Sequence, residues 1–343
     1  MGWMTPSRWT IVGLAGALGG CASFPARYSP PVAEDVPASA HAEGDHATLD
    51  VLTYNVEGLQ WPARSGRAPD LARIGHILRS LRSQGRAPDV VLFQEVFSGA
   101  AVRAVKDSGY PYMIGGPLRT SSSADTAADA RREGRPRPTK GEIGFRFTGS
   151  GLVIASRWPV TFAVRDAYSR KTCAGFDCLS NKGVVLVRIA VPGVPAPVEI
   201  ADTHMNAQKA SKVSLERHRA AHRYQSEELA LFLERHHAPH APLILGGDFN
   251  MRRSTERFAA FRSRIPFAQV HEYCAPPGRC DVRLSWDGDA PWMDTQDLQF
   301  FASGDEVRVT PQRVEAMFDG SPECPKLSDH DGLRVIYRFS LDK

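Results

Sequence analysis

Eight short apolar segments constrain this chain more than any other feature. They are Leu49–Tyr54, Val90–Gln94, Gly151–Ala155, Val184–Ile189, Val198–Asp202, Leu243–Gly246, Leu298–Ala302 and Leu333–Phe339. Each is rich in β-branched or aromatic side chains, the signature of a strand. Several run apolar without alternation, so those strands need cover on both faces. Helical patterns interleave with them. Asp70 precedes a stripe of Leu71, Ile74, Leu78 and Leu81, which predicts a helix with Asp70 as its N-cap. Leu215 to His236 predicts a second helix, with Leu229, Phe232 and Leu233 on one face. Many strands with interspersed helices predict stacked sheets covered by helices, an α+β chain.

Composition narrows the class further. With 42% hydrophobic and 23% charged residues, the 343-residue chain is not disordered, collagen-like or coiled-coil. A length prior of roughly 150 residues per domain suggests about two domains. Formal net charge is +4, too slight to argue for nucleic-acid binding and too basic to dismiss it.

The ends and one interior stretch stand apart. Arg8 followed by the apolar run Ile11 to Leu18 is too short to span a bilayer and has the pattern of an export signal. Leu18-Gly19-Gly20-Cys21 follows it and resembles the lipobox of bacterial lipoproteins. That resemblance implies a signal peptide over 1–20, cleavage before Cys21 and acylation of Cys21, which would tether the chain stably to a membrane. Ala22 rather than Asp after the cysteine resembles outer-membrane sorting. Residues 21–47, rich in Pro, Ala and acids, read as the lipidated cysteine and a flexible tether, and 48–343 as the folded domain. Within it, Arg119 to Lys140 holds six basic and three acidic residues and little to bury, and reads as a mobile surface loop or a basic arm over an anionic ligand. Export would expose the remaining cysteines to oxidation. The expected disulfides are Cys173 with Cys178 and Cys274 with Cys280, leaving Cys324. A zinc site is the rival, at spacings that miss the usual C-x2-C pairs.

The residues with chemistry sit at strand ends. Asn55 closes VLTYN, Glu95 closes DVVLFQE, and His204 follows a strand in IADTH. Asp248 and Asn250 follow another in LILGGDFN, Asp297 opens DLQFF, and Asp329-His330 precede the last strand. A rigid sheet can hold such side chains in one cleft. Taken together and in this order, the motifs resemble the endonuclease/exonuclease/phosphatase superfamily across nearly all of residues 48–340. The resemblance implies a four-layer α/β/β/α sandwich of two packed mixed sheets, one domain rather than two, and a metal-dependent phosphoester hydrolase. It implies Mg²⁺, with Mn²⁺ as an alternative, held by Glu95, assisted by Asn55 directly or through water, with Asp329 reaching the metal. It further implies that Asp248 orients or deprotonates the attacking water. Asn250 would donate to the phosphoryl oxygens, and His330 would be held by Asp297. His204 would stabilise the developing charge. Which of Asp248 and His330 is the general base stays open at this point.

A narrower resemblance lies in CAGFDCLSNKGVVLVRI, Cys173 to Ile189, which is similar to the secreted neutral sphingomyelinases of bacteria. Arg157-Trp158-Pro159 and Ser285-Trp286-Asp287 look like theirs as well. The resemblance makes Lys182 a substrate-binding cation near the phosphate, against a reading as a surface lysine in a turn, and Asn181 a turn residue. Those enzymes carry an aromatic hairpin near the C-terminal end that dips into the membrane. No such hairpin is legible in Ala302 to Ser328, where Phe318 is the one aromatic. The expected function is therefore an exported, lipid-anchored, monomeric Mg²⁺ phosphodiesterase acting on a phospholipid head group. A nuclease and a sugar or inositol phosphatase of the same fold are the alternatives. A binding lipoprotein without activity is disfavoured by the intact Glu95, Asp248, Asn250, Asp329 and His330.

Overall fold

The computed structural model describes residues 22–29, 42–43, 46–59, 63–124, 126–284, 294–322 and 324–341. The export signal, Cys21, most of the tether and Ser285-Trp286-Asp287 lie outside the described residues. Among the described residues, no helix is long and apolar enough to cross a membrane.

In chain order the strands are β1 (Arg27–Tyr28), β2 (Ala42–Glu43), β3 (His46–Asn55), β4 (Val90–Gln94), β5 (Tyr112–Gly115), β6 (Val153–Ser156), β7 (Val160–Ala167) and β8 (Gly183–Ile189). They continue with β9 (Val198–His204), β10 (Leu243–Asp248), β11 (Ala268–Gln269), β12 (Asp281–Arg283), β13 (Asp297–Ala302), β14 (Val307–Met317) and β15 (Gly332–Leu341). One sheet has the order β1-β5-β6-β4-β3-β15-β14-β12, with β2 pairing β3, and the other β11-β13-β10-β9-β8-β7. Both are mixed: β3/β4 and β9/β10 are parallel, their other neighbours antiparallel.

The period-two alternation of strand side chains explains the apolar runs. On β3, Val51 faces the other sheet while Leu52 faces helices; on β4, Val90 and Leu92 face inward while Val91 and Phe93 face out. On β8, Val185 and Val187 face inward, and Val184 and Leu186 outward. The inward sets form one core between the sheets. The outer face of the first sheet is covered by α1 (Ala68–Ser83) and α2 (Gly99–Asp107), through Leu71, Ile74, Leu78 and Val105. The outer face of the second is covered by α3 (Leu215–His236) and α4 (Thr255–Arg262), through Leu229, Phe232 and Phe261. Four layers result, α/β/β/α, as one body rather than the two that length suggested. Gly246 marks how closely the sheets approach. A Cβ there would come within 2.5 Å of Leu92 and 2.6 Å of Thr53. Truncating a residue such as Leu92 in this interface should cost roughly 2–5 kcal/mol.

Buried polar groups also stitch the sheets. Gln94 donates to Asp202 at 2.7 Å, and Gln299 donates to the carbonyls of Val51 and Leu333 while accepting from the Tyr337 hydroxyl. With one oxygen unsatisfied and Asp297 and Asp248 nearby, burial drives the Asp202 pKa well up, which favours a neutral acid.

Some local expectations need correction. Asp70 is not the N-cap of α1. Arg67 holds that position, its guanidinium tied to the carbonyls of Val56, Glu57 and Leu327, and Asp70 pairs with it from the first turn at 2.9 Å. There the carboxylate still opposes the positive end of the helix dipole. Ala302 to Ser328 contains the eleven-residue strand β14, which runs along β15 with a register shift between Pro311 and Arg313. The proline hid the alternation of its sequence. Among its described residues, Arg119 to Lys140 holds no strand, only a 3-10 turn at Pro138–Lys140. It lies pinned to the body, with Ala124 donating to Asp166 and Arg132 to the Arg170 carbonyl. The disulfides are Cys173–Cys178 and Cys274–Cys280, with Cys324 outside both, and they take up the two cysteine pairs that rivalled as zinc ligands.

Candidate active site

The two sheets bring their polar strand ends to one seam. In the second sheet, register does the alignment: Asp248 is directly opposite His204 on β9 and Asp297 on β13. Three functional side chains thus form a row across three neighbouring strands. The first sheet supplies Asn55, at the end of β3 and opposite Gln94, and Glu95, which leaves β4. Glu95 has φ 61° and Asn250 φ 52°. Asparagine tolerates that left-handed backbone, but glutamate adopts it rarely, and such conformations, costing about 1–3 kcal/mol, concentrate at functional sites.

Asn55 joins the sheets, its amide donating to Glu95 at 3.2 Å and to Asp248 at 3.1 Å. Its own carbonyl accepts from Ser328, whose hydroxyl also takes the His330 backbone N–H, so Asn55 and His330 are positioned by one serine. The His330 Nδ1 lies 2.5 Å from Asp297, and its Nε2 is 4.0 Å from Asp248. Asp248 also receives the Asn250 backbone N–H at 3.0 Å and lies 3.3 Å from His204 Nε2. Asn250 points its amide at the Met205 carbonyl. Arg257, fully buried, clamps the carbonyls of Asn206, Ala207 and Asn250 and so fixes the loops after β9 and β10.

Lys182 is buried rather than a surface lysine. Its ammonium is 2.9 Å from His204 Nε2, 3.0 Å from the Met205 carbonyl and 3.0 Å from Asp177. Asp177 sits in a 3-10 turn, Gly175–Leu179, closed by the Cys173–Cys178 bridge. Sequence reasoning missed Asp177, although an acid between those cysteines and five residues before Lys182 was a visible signal. It also missed Ser328, Arg257 and Gln296, which reaches the His330 ring at 3.5 Å, and for these no local signal exists. Asp329 stands apart from the other predicted residues: it is half exposed, 3.9 Å from His330 Nε2, and faces Arg64.

The electrostatics split the site. Burial disfavours a charged His330, but Asp297, Asp248 and Glu95 outweigh it and raise its pKa well above the usual value. Burial, then Lys182 and His330, push His204 far down, so that ring is neutral. Burial raises Glu95 and Asp248, with the neighbouring carboxylates adding to the effect and His330 and Lys182 opposing it.

Such crowding of carboxylates suits a cation. Donor atoms of Asp248, Asp297 and His330 lie within 4.8 Å of one another. Asp297 has a buried oxygen without a hydrogen bond, and Glu95 makes no ion pair among the described residues. A hard divalent ion with oxygen ligands fits this donor set. Because the His330–Asp297 pair is already closed, Glu95 with Asn55 is the better anchor for it. A cleft of about 240 Å³ opens beside His330 and Asp297, bordered by Asp329, Lys326 and Arg252.

Residues 52–330 match the model of the Endonuclease/Exonuclease/phosphatase family, a span that runs from before Asn55 to His330 and so includes every residue of the site. The chain belongs to that family. Within it, the chain is 28% identical to the sphingomyelinase C of Leptospira interrogans over 174 residues, half of this chain. The match spans only 28% of that relative's length. Among solved structures of the same fold, a beta toxin mutant from Staphylococcus aureus with bound magnesium ions superposes with a TM-score of 0.57 at 19% identity, over 84% of this chain and 99% of the other. Sphingomyelinase C from Streptomyces griseocarneus gives 0.56 at 19%, covering 84% and 98%. TDP2 from D. rerio, complexed with a single-strand DNA product, gives 0.52 at 17%, again covering 84% and 98%.

Proposed function

We propose that this family member is a Mg²⁺-dependent phosphodiester hydrolase whose substrate is a phospholipid of the sphingomyelin type. The observation that carries the reading is the convergence of Asn55, Glu95, His204, Asp248, Asn250, Asp297 and His330 on one seam, with opposite charge preferences on its two walls. The relationship to a sphingomyelinase C and the buried Lys182 within Leu179-Ser180-Asn181-Lys182-Gly183 favour the lipid over nucleic acid.

A phosphodiester repels nucleophiles by its negative charge. Mg²⁺ held by Glu95 and Asn55 supplies neutralisation of that charge when bound. Lys182 and neutral His204 face the phosphoryl oxygens, and Asn250 contributes its amide. Asp248, with its raised pKa, takes a proton from the attacking water. His330, held as a cation by Asp297, gives a proton to the alcohol oxygen as the P–O bond breaks. The products are a free alcohol and a phosphomonoester. We further propose that the chain is exported and anchored through Cys21, on the strength of the Leu18-Gly19-Gly20-Cys21 motif. A mature chain of unchanged size in Cys21→Ser, with membrane association that resists high salt as well as the parent's, would overturn that part.

The test is hydrolysis with Mg²⁺ of sphingomyelin, phosphatidylcholine, plasmid DNA and bis-p-nitrophenyl phosphate, with His330→Ala alongside. Release of phosphocholine with intact plasmid is expected. Nicked plasmid with no head-group release would replace the lipid reading by a nuclease, and activity indifferent to EDTA would overturn the metal.

A further inference from the structure

Three exposed phenylalanines have no role in the seam. Phe145 is 54% exposed, Phe147 48% and Phe176 43%, an exposure that single-chain proteins avoid in clusters. The Phe145 and Phe147 rings meet edge to face at 5.3 Å. Phe176 belongs to the 3-10 turn Gly175–Leu179, and Gly141 is seated on it: a Cβ at Gly141 would come 3.0 Å from its Cα and 3.2 Å from its ring. Leu118, also exposed, flanks the same segments, since Asn181 holds its carbonyl, and the Lys209–Ser211 turn packs on Gly175.

The platform beneath these rings is rigid. Phe147 donates its backbone N–H to the Leu179 carbonyl at 2.7 Å. Glu142 accepts from the Gly175 N–H and from Arg217, and the Cys173–Cys178 bridge closes the turn. The next residue after Phe176 is Asp177, whose carboxylate holds Lys182 beside His204. The aromatic face is therefore one residue from the wall that would receive a phosphate.

Its surroundings are cationic. Arg137, Arg170, Lys171, Lys209 and Lys212 are exposed on these segments, with Lys140 half-exposed. Two acids at the base, Glu142 and Asp177, are each matched by a buried cation. Among the described residues, the same segments also carry the acids Asp129, Glu133 and Glu216. Apolar rings that insert, ringed by cations that attract anionic head groups, are the chemistry of a bilayer-binding face. A rigid platform lowers the ordering cost of such binding.

We infer that Phe145, Phe147 and Phe176, with the cations around them, dock this protein onto an anionic lipid bilayer and deliver lipid to the seam. This rests on the lipid reading above. The experiment is co-sedimentation of the full chain, carrying Cys21→Ser so that no acyl chain contributes. Its vesicles are phosphatidylcholine with about 30 mol% phosphatidylglycerol. The triple variant Phe145→Ser, Phe147→Ser, Phe176→Ser should lower the partition coefficient at least about 10-fold. Lys209→Glu with Lys212→Glu should weaken binding too, and salt of about 500 mM should abolish most of its effect. Phe162→Ser, on the β7 strand, should change nothing. All variants should hydrolyse soluble bis-p-nitrophenyl phosphate at the parental rate. Parent and triple variant binding alike, a parent that ignores anionic vesicles, or loss with Phe162→Ser equal to the triple loss would overturn the docking face, the first two leaving a protein partner as its occupant. A parent that binds vesicles yet hydrolyses no phosphodiester would instead overturn the reaction and leave the docking face supported.

Discussion

The two walls of the seam hold one histidine each, and they charge them oppositely. On one wall His330 touches Asp297 and looks toward Glu95; on the other His204 touches Lys182; Asp248 stands between them, 4.0 Å from His330 and 3.3 Å from His204. Burial pushes both rings toward neutrality; at His204 the Lys182 ammonium adds to that push, while at His330 the carboxylates, Asp297 first, overturn it. The carboxylate wall makes a proton donor and a cation site. The ammonium wall makes a neutral ring beside a fixed positive charge. On the function proposed above, a phosphodiester entering between them would meet a proton, a cation and an acceptor without any group having to reorganise.

Removing the proton donor should do the most damage. His330→Ala should cost at least about 10³-fold in kcat on bis-p-nitrophenyl phosphate, within the range of acid–base residues. A loss under tenfold would break the comparison. Glu95→Gln comes next, with a loss of at least about 10²-fold. Mg²⁺ binding by calorimetry should weaken in parallel, while the melting temperature holds or rises, because the variant removes a buried charge. Lys182→Met should cost about 10-fold, read mainly in KM, since it removes a fixed charge facing the substrate. Its second readout is the His204 ring, whose NMR titration should move back toward the ordinary value of about 6.5.

The smallest effect sharpens the comparison most. His330 has a folded pKa above its unfolded one, so its stabilisation is fully present below about pH 6.5 and is lost as pH rises through the folded value. His204 is the reverse: its folded pKa lies below the unfolded one, so its contribution is intact above about pH 6.5 and is lost as pH falls through the folded value. Urea unfolding in EDTA across that range should show Asp297→Asn flattening the alkaline slope and Lys182→Met flattening the acid one. A common change in both variants would mean that the rings do not titrate independently.

Much of this architecture was legible before any coordinates. Strands covered on both faces must be apolar on both, and their runs stood out against the loops. Val90–Gln94 and the α3 helix coincide with the structure at both ends, and the site residues stood out because polar groups at the ends of apolar runs are conspicuous. Local signals failed where two patterns collided. Pro311 masked the alternation of β14, and Asp70 looked like a cap one turn from Arg67, whose three carbonyl contacts come from the segment after β3 and from Leu327, 260 positions away.

The sequence by itself determined the central strands of both sheets, the helices α1 and α3 and the polar side chains that end those strands, because each follows from neighbours within a few residues. Only the tertiary structure decided their charge and their partners. The register that sets His204, Asp248 and Asp297 in one row joins β9, β10 and β13, and the contacts that make His330 a cation and His204 neutral span 33 and 22 positions. Burial at the seam amplifies each of those contacts, so a lysine that the sequence left between a phosphate-binding cation and a surface turn becomes the fixed charge of one wall, and a serine with no motif of its own holds both Asn55 and His330.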